Sequence, residues 1–155
     1  QSRSRGIAQQ GAIQHLTFLA NPRALDMITN TNEALTMTTS YQVIGGYDTS
    51  ELDQCTCFAK NLSTGVFTLQ DSFLVEVIYT ADFENQTNKD LQFTILKNGA
   101  ESNFVAYVDS GSQNVMIAGL LSCQDEDTLS IGVKKVASGN ADLTIRDATF
   151  IVKRA

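Results

Sequence analysis

The chain has 155 residues, of which 43% are hydrophobic and 18% are charged, and its formal net charge is −6. This length suits one domain that can bury a core without disulfides or metal ions. No apolar run approaches the ~20 residues that a membrane-spanning helix needs. No apolar stretch follows the first arginines as in a signal peptide. We therefore expect neither a membrane partner nor an export signal.

The charge is unevenly distributed along the chain. Residues 1–30 hold three arginines and one aspartate, for a net charge of +2, and the remaining residues hold 8 basic and 16 acidic residues, for −8. An acidic body with so few leading cations argues against a nucleic-acid groove or a genome-packaging arm. The leading segment is interpreted either as a solvated tail or as an arm that docks on an acidic protein surface.

The first thirty residues differ from the rest in pattern as well as charge. Residues 1–14 are polar and show no sustained periodicity, so we expect an extended arm with at most a short helical turn near Ile7–Ile13. Leu16–Leu19 predicts one short strand. The predicted organisation is an N-terminal arm at 1–33 and a folded domain at 34–155.

The folded domain is predicted to consist of short strands separated by polar turns. No segment beyond the arm has helical periodicity, and about eight to ten strands recur at the spacing typical of a β-sandwich. This pattern predicts an all-β protein, an antiparallel jelly-roll β-sandwich with an extended N-terminal arm. The predicted strands include 34–39, 54–60, 66–69, 73–79, 91–97, 128–133, 143–145 and 149–152, with two more between residues 100 and 121.

The clearest signal lies in residues 91–121. Leu91, Phe93 and Ile95 alternate with polar residues, which is the period of a half-buried strand. The next turn is Asn98-Gly99, and both residue types tolerate a positive φ, so the segment predicts a tight β-hairpin.

The strand at 73–79 is apolar on both faces. Leu74 and Ile78 lie on the face opposite Phe73, Val75 and Val77. A strand of this kind is usually central in its sheet and covered on both sides. The core would cover one face, and a neighbouring subunit is the candidate for the other.

The three cysteines are Cys55, Cys57 and Cys123. An odd number without repeated spacing is not a disulfide framework. On a strand, the sulfurs of Cys55 and Cys57 would lie on one face, roughly 6–7 Å apart, which is awkward for a mutual bridge. We therefore expect buried free thiols, as suits a protein assembled in a reducing cytoplasm.

Catalytic chemistry has little support in the sequence. The only histidine, His15, lies in the arm, so a histidine-based triad, a general base or a zinc site is poorly supported. No nucleotide-binding or nucleophile motif is present. The acidic run Asp125-Glu126-Asp127 is interpreted as a solvated turn, with a weak cation site as the alternative. We predict a protein that is not an enzyme and has no catalytic, cofactor or metal site.

Four segments carry a resemblance to a known family: Phe73 at the start of a strand, Ile95–Gly99, Leu121–Ile131 and Phe150–Val152. Together they make residues 65–154 resemble the trimeric jelly-roll superfamily of tumour necrosis factor and complement globular heads, especially its bacteriophage virion proteins. The chain departs from the family pattern where Asp71 and Glu126 replace expected glycines.

The resemblance implies a homotrimer in which apolar strand faces pack around a three-fold axis. The candidate residues for the trimer interface are Leu74, Ile78 and Tyr107. The phage members of the family are virion proteins, among them capsid decoration proteins, head fibres and the receptor-binding heads of tail fibres.

The predicted function is that of a capsid decoration, or cement, protein on the virion surface, assembled in the host cytoplasm. Its partner would be the major capsid protein of a phage head, clamped by the arm. The candidate arm residues are Arg3, Arg5, Ile7, Ile13, Leu16 and Phe18. The main alternative is the receptor-binding head of a tail fibre or spike. A secreted signalling head and a small-virus coat protein are disfavoured by the free cysteines, the missing signal and the sparse basic charge.

Overall fold

The computed structural model describes residues 25–155, and every regular element in that range is a β-strand. No helix in that range could cross a membrane. The strands are β1 (Leu25–Asn30), β2 (Glu33–Thr36), β3 (Gln42–Val43), β4 (Thr49–Asp53), β5 (Phe58–Asn61), β6 (Val66–Leu69), β7 (Phe73–Asn85), β8 (Leu91–Lys97), β9 (Ala100–Val108), β10 (Asn114–Cys123), β11 (Thr128–Lys135) and β12 (Asp142–Arg154).

The strands form two antiparallel sheets packed as a sandwich. The first sheet has the order β10-β7-β12-β1-β4, with β2 paired to β12. The second has the order β5-β6-β11-β8-β9, with β3 paired to β11. From β6 onward the chain crosses between the sheets after β6, β7, β9, β10 and β11, as in a jelly roll. The predicted fold class is confirmed.

Aromatic side chains from both sheets meet in the core. Phe150 on β12 is fully buried and packs edge-on against Phe67 of the second sheet, with 5.0 Å between ring centroids. It also contacts Tyr79 on β7 at 6.2 Å and Tyr47 at 6.0 Å. Tilted and edge-to-face pairs of this kind add to the stabilisation from burial alone. Phe150 therefore joins the two sheets near the middle of the sandwich.

The predicted hairpin is confirmed. β8 ends at Lys97 and β9 begins at Ala100, and the two residues between them, Asn98 and Gly99, have φ angles of 54° and 78°. A two-residue turn with positive φ at both positions matches the twist of the flanking strands.

Two strands are longer than the sequence predicts. β7 continues to Asn85 because Ala81 and Phe83 extend its inward-facing series, and both are buried. The separate predictions at 143–145 and 149–152 are parts of one strand, β12, whose register shifts between Ile145 and Asp147. Such a β-bulge disrupts strict alternation, which hides the continuity of the strand in the sequence.

The predicted boundary between arm and domain is wrong for residues 25–33. β1 pairs with β12 on one side and β4 on the other, so it is an internal strand of the first sheet. Its inward positions are Asp26, Ile28 and Asn30, all buried. Two polar residues at inward positions conceal the alternation. The six candidate arm residues lie outside the described residues.

The expectation of three free thiols is wrong for Cys55 and Cys57, which form a disulfide. The residues between β4 and β5 form a turn, not the predicted strand, and the turn brings the two Cα atoms to 5.1 Å. That separation is normal for a disulfide. Cys123 is a buried free thiol, as predicted, and burial raises its pKa.

The acidic turn between β10 and β11 is held by Asp127. Its carboxylate accepts hydrogen bonds from the Gln124 backbone N–H at 2.8 Å and from Asn98 Nδ2 at 2.9 Å. These hydrogen bonds, the backbone one foremost, lower the pKa of Asp127. Donors within the protein thus satisfy the Asp127 carboxylate. This favours the interpretation of the acidic run as a turn over its interpretation as a cation site.

A buried carboxylate connects β1 to the second sheet. Asp26 is fully buried and accepts hydrogen bonds from the backbone N–H groups of Gln54 and Cys55, at 2.9 and 3.0 Å. Its other oxygen lies 3.4 Å from Lys60 Nζ on β5, which also pairs with the exposed Asp53 at 2.7 Å. Asp26 is therefore paired and hydrogen-bonded, as a buried charge must be.

Replacing Asp26 with alanine should lower the free energy of unfolding by about 3 kcal/mol, because the buried N–H of Cys55, the part-buried N–H of Gln54 and the Lys60 ammonium lose their acceptor. Urea denaturation measures the loss. Asp53→Ala is the matched control: it removes an exposed partner of the same lysine and should cost about 0.5 kcal/mol. Equal losses in the two variants would contradict this account of Asp26.

Replacing Asp127 with asparagine should lower stability by about 1 kcal/mol near neutral pH. Because the folded-state pKa is lowered, the wild-type advantage is complete above about pH 5 and is lost as the pH falls through the folded pKa. Urea denaturation at several pH values should show the two curves converging in acid. Asp125→Asn is the control, since that carboxylate has no hydrogen bond among the described residues. A pH-independent difference for Asp127→Asn would contradict the assignment.

Candidate interaction surface on the first sheet

One uninterrupted row of apolar side chains crosses the outer face of the first sheet. The cross-strand register aligns one residue from each of its five strands, since directly opposite residues share a face. These residues, here called the apolar row, are Ala118, Ile78, Ile151, Met27 and Leu52. None of them belongs to the buried core.

Large exposed hydrophobic side chains extend this row along β7 and β10. Met116 is 68% exposed, Leu120 54% and Leu74 47%. All three share the outer face with Ile78, as the pairing of β10 with β7 shows. Contiguous exposed apolar surface of this kind marks interaction sites in soluble proteins.

Polar residues border the apolar row on both sides. On one side, the register aligns Thr80, Thr149, Thr29 and Thr49 across four strands. On the other, Glu76 and Lys153 face each other, with 3.9 Å between their charged atoms. Such a border supplies hydrogen-bonding groups around an apolar centre, which is the usual anatomy of a protein interface.

The outer face of the second sheet is different, because Tyr41 covers part of it. Tyr41 packs there, and its hydroxyl accepts a hydrogen bond from Gln92 Nε2 at 2.6 Å. Lys134 Nζ lies 4.6 Å from the centre of the Tyr41 ring. Burial, followed by the hydrogen bond with Glu101, raises the pKa of Tyr41. Gly132 leaves room for this packing, since a Cβ there would lie only 3.3 Å from Tyr41 Cδ1.

The structure brings together two of the three predicted interface residues. Leu74 and Ile78 lie on the outer face of the first sheet. Tyr107, which is 75% exposed, lies instead on β9, the edge strand of the second sheet, opposite Gln92. Tyr47 is only 4% exposed and belongs to the core.

The sequence did not identify the contributions of β10, β12 and β1 to this surface. In β10, residues 115–121 are almost all apolar, so no alternation separates buried from exposed positions. Met27 faces outward while its polar neighbour Asp26 is buried, which reverses the expected pattern of polar outside and apolar inside. Only the cross-strand register places these residues in one row.

No family model matches the sequence, and no curated protein matches it. The solved structures that are similar across most of the chain include two with informative descriptions. The globular domain of the zebrafish complement 1qA protein matches with a TM-score of 0.52 and 13% identity, over 85% of this chain and 99% of that one. The PRD1 vertex protein P5 matches with a TM-score of 0.61 and 15% identity, over 84% and 96%. The resemblance to the superfamily of complement globular heads is thus confirmed as a shared jelly-roll fold.

Proposed function

We propose that this protein is a non-catalytic structural protein of a phage virion that forms a homotrimer and decorates the capsid. The observation that carries this proposal is the apolar row, because it crosses all five strands of one sheet and no described segment covers it. Burying such a surface against other copies of the chain would remove it from water and stabilise the assembly.

A closed ring of three copies requires two different surfaces on each copy, since a head-to-tail contact is not self-complementary. The outer face of the first sheet supplies one surface. The second candidate is the edge of the sandwich where β9 and β10 lie side by side. Tyr107 lies on β9 at this edge and is the most exposed large hydrophobic residue there. Aromatic residues of this kind are enriched at the centres of interfaces.

The decoration role rests on the fold neighbour and on the arm. One similar structure is a phage vertex protein, so this jelly roll occurs in a protein of a phage vertex. The chain before β1 holds Arg3, Arg5 and Arg23 and would dock on major capsid subunits, in the cytoplasm where heads assemble. An arm that binds only the assembled lattice stabilises it by mass action. Three arms on one trimer raise their effective concentration for neighbouring sites.

Size-exclusion chromatography with light scattering tests the trimer. The wild-type mass should correspond to three chains of 16.9 kDa. Ile78→Lys places a charge in the centre of the apolar row and should give monomers, with the β-sheet circular dichroism spectrum retained. Val43→Lys changes a residue that is 40% exposed on the other sheet and should remain trimeric. A monomeric wild type, or an Ile78→Lys trimer, would rule out the proposed interface.

Deletion of residues 1–24 tests the arm, because it stops just before β1. The truncated protein should remain a folded trimer but lose at least tenfold in affinity for empty phage capsids that lack the protein. Deletion of residues 1–30 also removes β1, an internal strand, and should prevent folding. Co-sedimentation with capsids measures the binding. Full decoration by the 1–24 deletion would contradict the docking arm.

A receptor-binding head is the second candidate function, and the exposed ring of Tyr107 is the feature that favours it. The same co-sedimentation experiment separates the two functions when host cells are included. Binding to cells and not to capsids, abolished by Tyr107→Ala, would favour the receptor-binding head.

A further inference from the structure

One lysine and two aspartates from three different strands meet between the sheets. Asp26 on β1 and Asp53 on β4 are opposite each other in the register of the first sheet, and Lys60 reaches them from β5 of the second. Lys60 Nζ lies 3.4 Å from Asp26 Oδ2 and 2.7 Å from Asp53 Oδ1. A primary amine and a carboxyl group, the two groups that condense to an amide, are therefore in contact.

The contact is closed to water on the side of Asp26 and open on the side of Asp53. The side chain of Asp26 is 0% exposed, that of Lys60 12% and that of Asp53 68%. Groups held within about 3–3.5 Å of each other react as if their concentration were on the order of 10⁵ M or more. Proximity therefore favours reaction between Lys60 and Asp26, and Asp53 is placed to exchange protons with solvent.

The second oxygen of Asp26 lies where a negative charge would be stabilised. Oδ1 accepts hydrogen bonds from the backbone N–H groups of Gln54 at 2.9 Å and Cys55 at 3.0 Å. If an amine adds to Asp26 Cγ, negative charge develops on this oxygen. Two fixed N–H donors at this distance have the geometry of an oxyanion hole. The surroundings of Asp26 thus provide a nucleophile on one oxygen and an oxyanion hole on the other.

We propose that Lys60 and Asp26 form an intramolecular isopeptide bond, with Asp53 as the proton carrier. Asp53 takes a proton from the Lys60 ammonium and delivers it to Asp26 Oδ2, which leaves a free amine and a neutral acid. This transfer removes two charges from a site that solvates them poorly.

Bond formation then follows by addition and elimination. The Lys60 amine attacks Asp26 Cγ, and the electron pair of the C=O bond moves to Oδ1. Asp53 transfers a proton from the nitrogen to the departing oxygen, the Cγ–Oδ2 bond breaks, and the carbonyl re-forms. One ammonium and one carboxylate become one amide and one water molecule, so no oxidant or co-reactant is needed.

The bond would connect the two sheets covalently, since β1 belongs to the first and β5 to the second. It closes a loop over residues 26–60 and so removes conformational freedom from the unfolded chain. It also lies one residue after Leu25, where β1 begins. β1 would then stay attached to β5 even when its strand pairings break.

Intact mass spectrometry of the full-length protein tests the bond. After reduction of the disulfide and denaturation, the wild-type mass should be lower than the sequence mass by one water molecule. Proteolysis should release a branched peptide that joins Lys60 to Asp26, which distinguishes this bond from a loss of water elsewhere. Lys60→Arg keeps the cation but removes the primary amine, so it should retain the full sequence mass.

The role of Asp53 is tested by the rate of the reaction. Asp53→Asn preserves the shape of the side chain but cannot carry protons, and should slow bond formation by about a hundredfold or more. The fraction of bonded chains at successive times after synthesis measures the rate. Glu51→Gln is the matched control, because it changes another exposed carboxylate on β4 and should react at the wild-type rate.

A full sequence mass for the folded wild type after prolonged incubation at neutral pH would mean an ion pair only and would overturn the proposal. An unchanged rate in Asp53→Asn would overturn the role of Asp53. The readout is the mass of one chain, so it does not depend on trimer formation or capsid binding. The urea comparison of Asp26→Ala with Asp53→Ala uses wild-type chains of full mass, so that only the ion pair is compared.

Discussion

The packing of Phe150 between the two sheets is the contact on which the other features depend. Its ring contacts Phe67 from the second sheet and Tyr79 from the adjacent strand. This contact fixes which face of β12 points inward, and the period of two then fixes the other face along the whole strand. A register shift of one residue would bury Ile151 and expose Phe150 and Val152. The core thereby determines which side chains remain on the outside.

The outer face of the first sheet is a consequence of that constraint combined with pairing. β7 and β12 pair over nearly their full lengths, so the inward placement of Tyr79 and Phe150 forces Ile78 and Ile151 outward together. In a monomer, apolar residues at these positions would remain exposed to water. On the second sheet, where a similar surface would arise, the chain returns to cover it with Tyr41. Among residues 25–155, a partly covered face on the second sheet contrasts with an uncovered face on the first, and this contrast is the strongest physical argument for the proposed partner.

The sequence predicted the fold class because turn chemistry and alternation are local signals. Asn98-Gly99 predicted its hairpin because both residue types tolerate a positive φ. The strand at 91–97 was predicted from the alternation of apolar and polar residues. β1 was missed because Asp26, a polar residue, occupies an inward position. The free-energy cost of burying its carboxylate is offset by Lys60 and by backbone N–H groups from a turn 28 and 29 residues away. Of the apolar row, only Ile78 was predicted, for a related reason: the row depends on which residues pair across strands, and no single strand contains that information.

The position of β1 determines how firmly the proposed N-terminal arm is attached to the folded domain. β1 is hydrogen-bonded on both sides, and Asp26 connects it to β5 through Lys60. A segment attached at Leu25 is thus anchored in the middle of the sheet and not at an edge. Detaching it would break two strand pairings and the Asp26 ion pair together. The proposed clamp needs this kind of anchorage, because an arm that frayed from its own domain would lose the cooperativity proposed for three linked arms.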